Sequence, residues 1–416
     1  MTQLQLAIQL FFQIAVIIAF SQAVGMLAKR LGQPQVVAEM IAGVLLGPSL
    51  LGLLWPGTFD ALFPKESMKV LFPISQLGLA LYMFVVGLEF RMDIVRAKFH
   101  SAVAVSLAGM VAPFALGGLL GWHFFTHTSL FPKETSLMEA AVFLGASMCV
   151  TAFPMLARII HFKKLAGTTM GTVALGAGAI DDAAAWCLLA VVLASFDGNA
   201  SRALLNIGGG LAYVVATLGI IRPALARWAR GIEGRGELSD REFAACLVLL
   251  ALGAWATDAL GLHAVFGAFI MGAAMPRGVV SRALTERIQP LTLALLLPLF
   301  FTFSGLNTQI ALLDSPFLWW MTGWVMLAAV GGKGVACWLA ARATGLPNRE
   351  ALGIGTLMNA RGLMELIIIN IGLQRGIISP ALFAILVIMA VTTTLMASPL
   401  FDRLVGDRRP SPSQPG

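Results

Sequence analysis

Apolar runs of about eighteen residues or more recur along the whole length of this 416-residue chain. Each is long enough to cross a bilayer core of roughly 30 Å. Nothing constrains the fold more, because a backbone in lipid must satisfy its own N–H and C=O groups, and an apolar run of this length does so as a helix. Apolar residues make up 58% of the sequence and charged residues 12%, about half the charged share of soluble domains. The sequence therefore reads as an all-α polytopic membrane protein. Cys149, Cys187, Cys246 and Cys337 each lie inside an apolar run, with no metal-site or disulfide spacing, and read as small core residues. The first run has no basic residue before it and no cleavage site, so it reads as a retained helix.

Thirteen spans are expected, at residues 4–27, 36–54, 70–88, 102–124, 137–160, 167–195, 203–225, 243–260, 262–275, 291–312, 317–340, 351–371 and 380–400. With that count, twenty-one of the 28 Lys and Arg residues fall in loops on the side of the C-terminus and five on the opposite side. The positive-inside rule then puts the N-terminus outside and the C-terminus in the cytoplasm. The net charge of +7 is a topology signal on this reading, and no nucleic-acid partner is implied. Membrane lipid is the expected surrounding.

The transmembrane region 1–403 divides into a first repeat at 4–195, a linking helix at 203–225 and a second repeat at 243–400. The two repeats enter the membrane from opposite sides, as an inverted-topology repeat of six plus six helices requires. Helices five and twelve are counterparts, and both carry breaking signals in mid-span. Helix five has Pro154, which removes a backbone donor, and helix twelve has Gly353, Gly355, Asn359 and Gly362 around Arg361. Two broken, crossing helices at matching places point to a transport site. The tail at 404–416, ending Pro-Ser-Pro-Ser-Gln-Pro-Gly, reads as disordered and cytoplasmic. There is no P-loop, so nothing points to ATP as the driving force, and no enzyme motif or cofactor is expected.

Asp181 and Asp182 stand side by side in the middle of the sixth span. A carboxylate at the centre of a membrane helix costs roughly 2.5–3.5 kcal/mol by insertion scales. Such a pair needs partners or a use, and the default use is a cation or proton site. Successive helical residues point about 100° apart, so the two cannot converge on one atom as a rigid pair. Small neighbours, Gly176 to Ala179 and Ala183 to Ala185, leave room for a close helix or an ion. Two cations remain inside the spans. Lys333, in Gly-Gly-Lys-Gly, is the candidate partner of Asp181, and Arg361 has Glu365 one turn later. Glu39 and Glu89 sit near cytoplasmic helix ends, where guarding an entrance and plain solvation are equally good readings. Asp258 and His263 flank an external turn and read as solvated or interfacial, and Trp319, Trp320 and Trp324 as an outer aromatic belt.

Four stretches are similar to the monovalent cation/proton antiporter superfamily. They are Val37-Ala-Glu-Met-Ile-Ala-Gly43 running on to Gly47-Pro48, Val150-Thr-Ala-Phe-Pro-Met-Leu-Ala-Arg158, Leu297-Pro-Leu-Phe-Phe-Thr-Phe-Ser-Gly-Leu306 and Gly355-Thr-Leu-Met-Asn-Ala-Arg-Gly-Leu-Met-Glu-Leu366. The resemblance runs over roughly residues 10 to 400 and is closest to plant cation/proton exchangers and bacterial potassium-efflux and sodium/proton antiporters. It implies a homodimer with an interface domain and a mobile core built from helices five, six, eleven and twelve. It also implies that Asp182 binds the ion, with Asp181 and Thr151 beside it, Lys333, Arg361 and Glu365 as supporting charges, and Pro154 and Asn359 at the helix breaks. The flanking motifs resemble the potassium-linked branch, whereas the Asp-Asp pair resembles the electrogenic sodium type.

The function expected is secondary active exchange of a monovalent cation, Na+ or K+, for H+ by alternating access, in a bacterial inner or plasma membrane. The transported ions are cargo, held transiently by Asp182 and Asp181. A cation channel and a sodium-coupled symporter of an organic anion are the alternatives. An intramembrane aspartyl protease needs carboxylates from facing segments that share a proton, and these are neighbours on one helix. Cysteines introduced at Ser129 and Asn199 are expected to react with an impermeant thiol reagent added outside, and one at Gly236 is not. The opposite labelling pattern overturns the topology.

Overall fold

A computed structural model describes residues 2–30, 33, 35–89, 98–165, 167–196, 200–260, 262–306 and 310–406. Arg91, Arg96, Asn199 and residues 407–416, all used in the sequence reading, lie outside the described residues, as do the side chains of Pro154 and Cys187. The described chain is helical throughout, with no strand among the described residues. In chain order the main helices are α1 (Gln3–Arg30), α2 (Gln35–Leu46), α3 (Lys65–Glu89), α4 (Phe99–His127), α5 (Leu137–Cys149), α6 (Phe153–Phe162), α7 (Thr169–Phe196), α8 (Ala200–Ala216) and α9 (Arg222–Glu233). They continue as α10 (Asp240–Ala259), α11 (Ala264–Ala274), α12 (Val279–Leu291), α13 (Leu297–Leu306), α14 (Pro316–Ala343), α15 (Asn348–Leu357), α16 (Leu363–Gln374) and α17 (Pro380–Val405).

Among the described residues, nine segments are long and apolar enough to cross a membrane. Three shorter apolar helices, Leu137–Cys149, Ala264–Ala274 and Glu365–Gln374, accompany them. An all-helical membrane architecture is borne out, and the expected count of thirteen spans is not confirmed; the expected spans 137–160 and 351–371 are each broken into two shorter helices. Starts follow local chemistry. Ser136 and Ser239 each cap a helix in a reciprocal box with Glu139 and Glu242, and Ser315 and Ser379 cap α14 and α17 with Pro in the first turn.

The chain groups into two compact units, each drawn from separated parts of the sequence. The first comprises Met1–Leu27, Ala38–Arg91 and Trp186–Ala311. Its core holds Phe84, Leu88, Ile232, Leu250, Met271, Val280 and Leu284. Its helices approach backbone to backbone: a Cβ at Gly43 would overlap the carbonyl of Phe301, and one at Gly305 the backbone of Gly43, so α2 and α13 fit only as glycine against glycine. Two π-turns, Thr217–Ile221 and Thr292–Leu296, interrupt long helices of this unit. Each ends two residues before a proline, Pro223 and Pro298, and the two stretches share the pattern Thr-Leu followed by Pro five residues after the Leu. A proline removes the N–H that would bond the carbonyl four residues back, and a π-turn is one way to re-pair it.

The second unit comprises Ala28–Val37, Met92–Ala185 and Leu312–Gly416. Here α4 packs closely on α5, where a Cβ on Gly121 would lie 2.6 Å from the Ala140 carbonyl and one on Gly145 2.7 Å from that of Phe114. Gln33, just before α2, donates at 3.0 Å to the Leu395 carbonyl of α17. That carbonyl is the one Pro399 leaves unpaired. Gly121→Val is expected to cost about 1–3 kcal/mol by overpacking. Gly323→Val, where a Cβ meets nothing within 4 Å, is expected to cost far less. Thermal unfolding of both variants in one detergent checks the difference.

Candidate functional site

The site lies in the second unit, where two helices stop in mid-course. α5 ends at Cys149, Val150 turns extended (φ −77°, ψ 140°), and the chain restarts as α6 at Phe153. Pro154 falls in the first turn of α6, where a missing N–H is harmless. α15 ends at Leu357 and α16 begins at Leu363. The two gaps meet. The Ala152 N–H donates to the Ala360 carbonyl at 3.1 Å, and the Thr151 hydroxyl oxygen lies 3.2 Å from the Met358 carbonyl. Thr394 of α17 closes the second gap from another side, accepting from the Arg361 N–H at 3.1 Å and donating to the Arg361 carbonyl at 2.7 Å. Asn359, also in the gap, donates to the Gly355 carbonyl at 2.9 Å.

Helix α7 brings Asp181 and Asp182 beside this crossing, both fully buried. Their surroundings differ. Asp181 Oδ1 accepts from Ser106 at 2.6 Å, and Oδ2 accepts from Thr151 at 2.7 Å and from Lys333 Nζ at 3.2 Å. Among the described residues, neither carboxyl oxygen of Asp182 is hydrogen-bonded. One carboxylate is saturated with donors, and its neighbour, turned to another face of the helix, has none among the described residues.

Lys333, fully buried in α14, spends its ammonium on three acceptors: Asp181 Oδ2, the Gly109 carbonyl at 3.0 Å and the Cys149 carbonyl. Both carbonyls are free for a local reason. Cys149 is the last residue of α5, so its C=O has no helical partner. Gly109 stands four residues before Pro113, which has no N–H to give it. A buried ion pair holds when its remaining hydrogen-bonding capacity is also met, and the helix break and the proline supply that here. Arg361 and Glu365 form a second buried pair, Nη1 to Oε1 at 3.4 Å, with Nη2 donating to the Ala329 carbonyl at 3.4 Å. No group of three or more His, Cys, Asp or Glu side chains suited to a resident metal occurs among the described residues.

Thr151, Asp181 and Lys333 are thus brought together, Asp182 stands next to them, and Asn359, Arg361 and Glu365 sit in or just past the second gap. Sequence reasoning missed Ser106 and the carbonyls of Gly109 and Cys149. The spacing Gly109–Pro113 was the readable signal for one of them, while one serine in an apolar run carried none. Elsewhere, Glu39 is 2% exposed, so plain solvation does not describe it, whereas Glu89 is exposed and accepts from Gln289 at 3.3 Å. His263 is half-buried at the turn and accepts from the Val265 N–H at 3.4 Å as the cap of α11.

Comparison with known proteins agrees with this architecture. The chain is 39% identical over 393 residues to the Na(+)/H(+) antiporter NhaS4 of Synechocystis, covering 94% of this chain and 96% of that one. It is 38% identical to Cation/H(+) antiporter 20 of Arabidopsis thaliana, over 94% of this chain and 48% of the relative, so it spans about half of that longer protein. The solved structure of the sodium proton antiporter MjNhaP1 from Methanocaldococcus jannaschii shares its fold, with a TM-score of 0.67 at 15% identity, over 96% of this chain and all of the other. The family described as "Sodium/hydrogen exchanger, transmembrane" matches residues 15–405, nearly the whole chain, and the chain belongs to that family.

Proposed function

We propose that the chain is a secondary active antiporter that exchanges a monovalent cation, Na+ or K+, for H+ by alternating access. The observation that carries this reading is Asp182, buried at the crossing of two helix breaks with both carboxyl oxygens unpaired. A carboxylate in such a place is too costly to stay bare, and a proton or a desolvated cation relieves it equally. Binding one excludes the other, which is the coupling an antiporter needs. Asp181 is held by Ser106, Thr151 and Lys333 and serves as a fixed charge beside the exchanging one. Arg361 and Glu365 brace the second break, and Asn359 and Pro154 define where the helices stop.

The protein works as a multi-pass membrane protein with thirteen spans in an inverted repeat, its N-terminus outside and C-terminus cytoplasmic in a bacterial inner membrane. The charge bias of the loops supports that orientation. A homodimer is the assembly implied by the family resemblance. Transport needs no cofactor, and the driving force is an ion gradient.

Asp182→Asn is expected to abolish cation-driven proton flux in proteoliposomes while the protein still inserts and purifies. The amide keeps the shape but neither releases a proton nor offers a full charge. Retained flux removes Asp182 from the carrier role. Lys333→Met leaves the Asp181 carboxylate and two carbonyls short of a donor, and is expected to destabilise the protein by about 3–5 kcal/mol. Adding Asp181→Asn to Lys333→Met is expected to restore part of that loss, because the uncompensated charge goes with it. Unfolding midpoints of the parent, the two single variants and the double variant check the coupling.

A further inference from the structure

Helix α4 ends in His123-Phe-Phe-Thr-His127, well separated along the helix from Ser106 and Gly109 at the transport site. Four residues advance a helix by about 6 Å and turn it by about 40°, so both imidazoles stand on one face. They do so here, stacked with ring centroids 4.7 Å apart and planes inclined by 26°, and both residues are exposed. Two histidines at this spacing are a recurrent pair of ligands on one helical face.

His127 Nδ1 lies 3.1 Å from the His123 carbonyl and 2.6 Å from the Thr126 hydroxyl oxygen. A carbonyl only accepts, so the tautomer with the proton on Nδ1 satisfies the His123 carbonyl and leaves the Nε2 lone pair of His127 to a ligand. The Thr126 hydroxyl then has the Trp122 carbonyl at 2.9 Å and the His123 carbonyl at 3.1 Å within reach of its own proton. A backbone carbonyl holding the far ring nitrogen is the usual outer support of a metal-binding histidine. Neither Nε2 makes a hydrogen bond among the described residues. The pair also sits at the C-terminal end of a long helix, where the helix dipole favours a cation.

We infer that His123 and His127 form an exposed site at the end of α4 for a divalent transition-metal ion of the kind imidazole prefers, zinc, nickel or copper(II). The two Nε2 atoms would each lie about 2.0–2.1 Å from the metal, with water completing the shell. Binding turns the two exposed rings out of their face-to-face stack, because imidazole lone pairs lie in the ring plane and must converge on one ion. Protons compete for the same lone pairs, so binding weakens as pH falls.

The test is calorimetric titration of tag-free, metal-stripped protein in detergent with zinc, repeated with copper(II) under electron paramagnetic resonance. One ion per chain is expected, with two imidazole nitrogens in the copper spectrum. His123→Ala and His127→Ala are each expected to weaken zinc binding by about a hundredfold, the gain that a second tethered ligand gives. Thr126→Val, which leaves the His123 carbonyl as the outer support, and His100→Ala, at the other end of α4, are each expected to change little. Binding that survives in the His123→Ala/His127→Ala protein, or no binding by the parent up to about 1 mM, overturns the site. All four side chains are exposed, so the variants are expected to fold, and equal unfolding midpoints without metal confirm it.

Discussion

The buried ammonium of Lys333 is the interaction on which the second unit depends. It joins α14 to the carboxylate of Asp181 on α7, to a carbonyl that Pro113 frees on α4, and to the carbonyl that ends α5. Each acceptor alone is a liability. An unpaired buried carbonyl costs about 1–3 kcal/mol, and a lone carboxylate costs more. Brought to one ammonium, the three become a set in which every member removes another's penalty. The helix break, the proline and the two charges then persist together, and losing any one exposes the rest.

The same arrangement separates the two aspartates. Neighbours on a helix look in different directions, so donors gathered around Asp181 do not reach Asp182. The first is locked by a serine, a threonine and a lysine, and the second has no hydrogen-bond partner among the described residues. On the proposed function this is a division of labour, with one carboxylate keeping the local charge fixed and the other trading proton for cation. Arg361 and Glu365 repeat the logic on the far side of the second gap, where the pair keeps the arginine from adding an uncompensated positive charge.

Much of this was legible in the chain. Long apolar runs announced the helices, and Pro154 and the Gly353–Gly362 stretch announced the breaks, because those signals are local. The pairing of Lys333 with Asp181 was legible for a different reason: charges are so scarce inside the spans that each has few partners to find. Ser106 was not legible, since one hydroxyl among apolar neighbours has many places to point and only packing chooses. The burial of Glu39 was hidden for the same reason, as a carboxyl near a helix end looks solvated until the neighbouring backbone is in place. Nor does sequence order disclose that residues of the two units alternate along the chain, because hydropathy marks where helices run and not which of them share a core.

Proline shows how two parts of one protein answer the same problem. In the first unit, Pro223 and Pro298 follow π-turns, a local change of winding that can re-pair a freed carbonyl within the helix itself. In the second unit, Pro399 and Pro113 leave carbonyls that are met by side chains from elsewhere, Gln33 and Lys333. The first solution is self-contained, and the second makes the helix depend on a neighbour. For Lys333 that dependence has a consequence for transport. An arriving cation that pulled the ammonium away would leave the carbonyls of Gly109 and Cys149 unpaired as well as the lysine itself, so outright displacement is opposed by several bonds at once. Lys333 has three protons to give and can yield the one on Asp181 while keeping the other two in place. On the proposed function the ammonium then stays as a fixed post, its bond to Asp181 the adjustable part, and the burden of exchange falls on the carboxylate of Asp182.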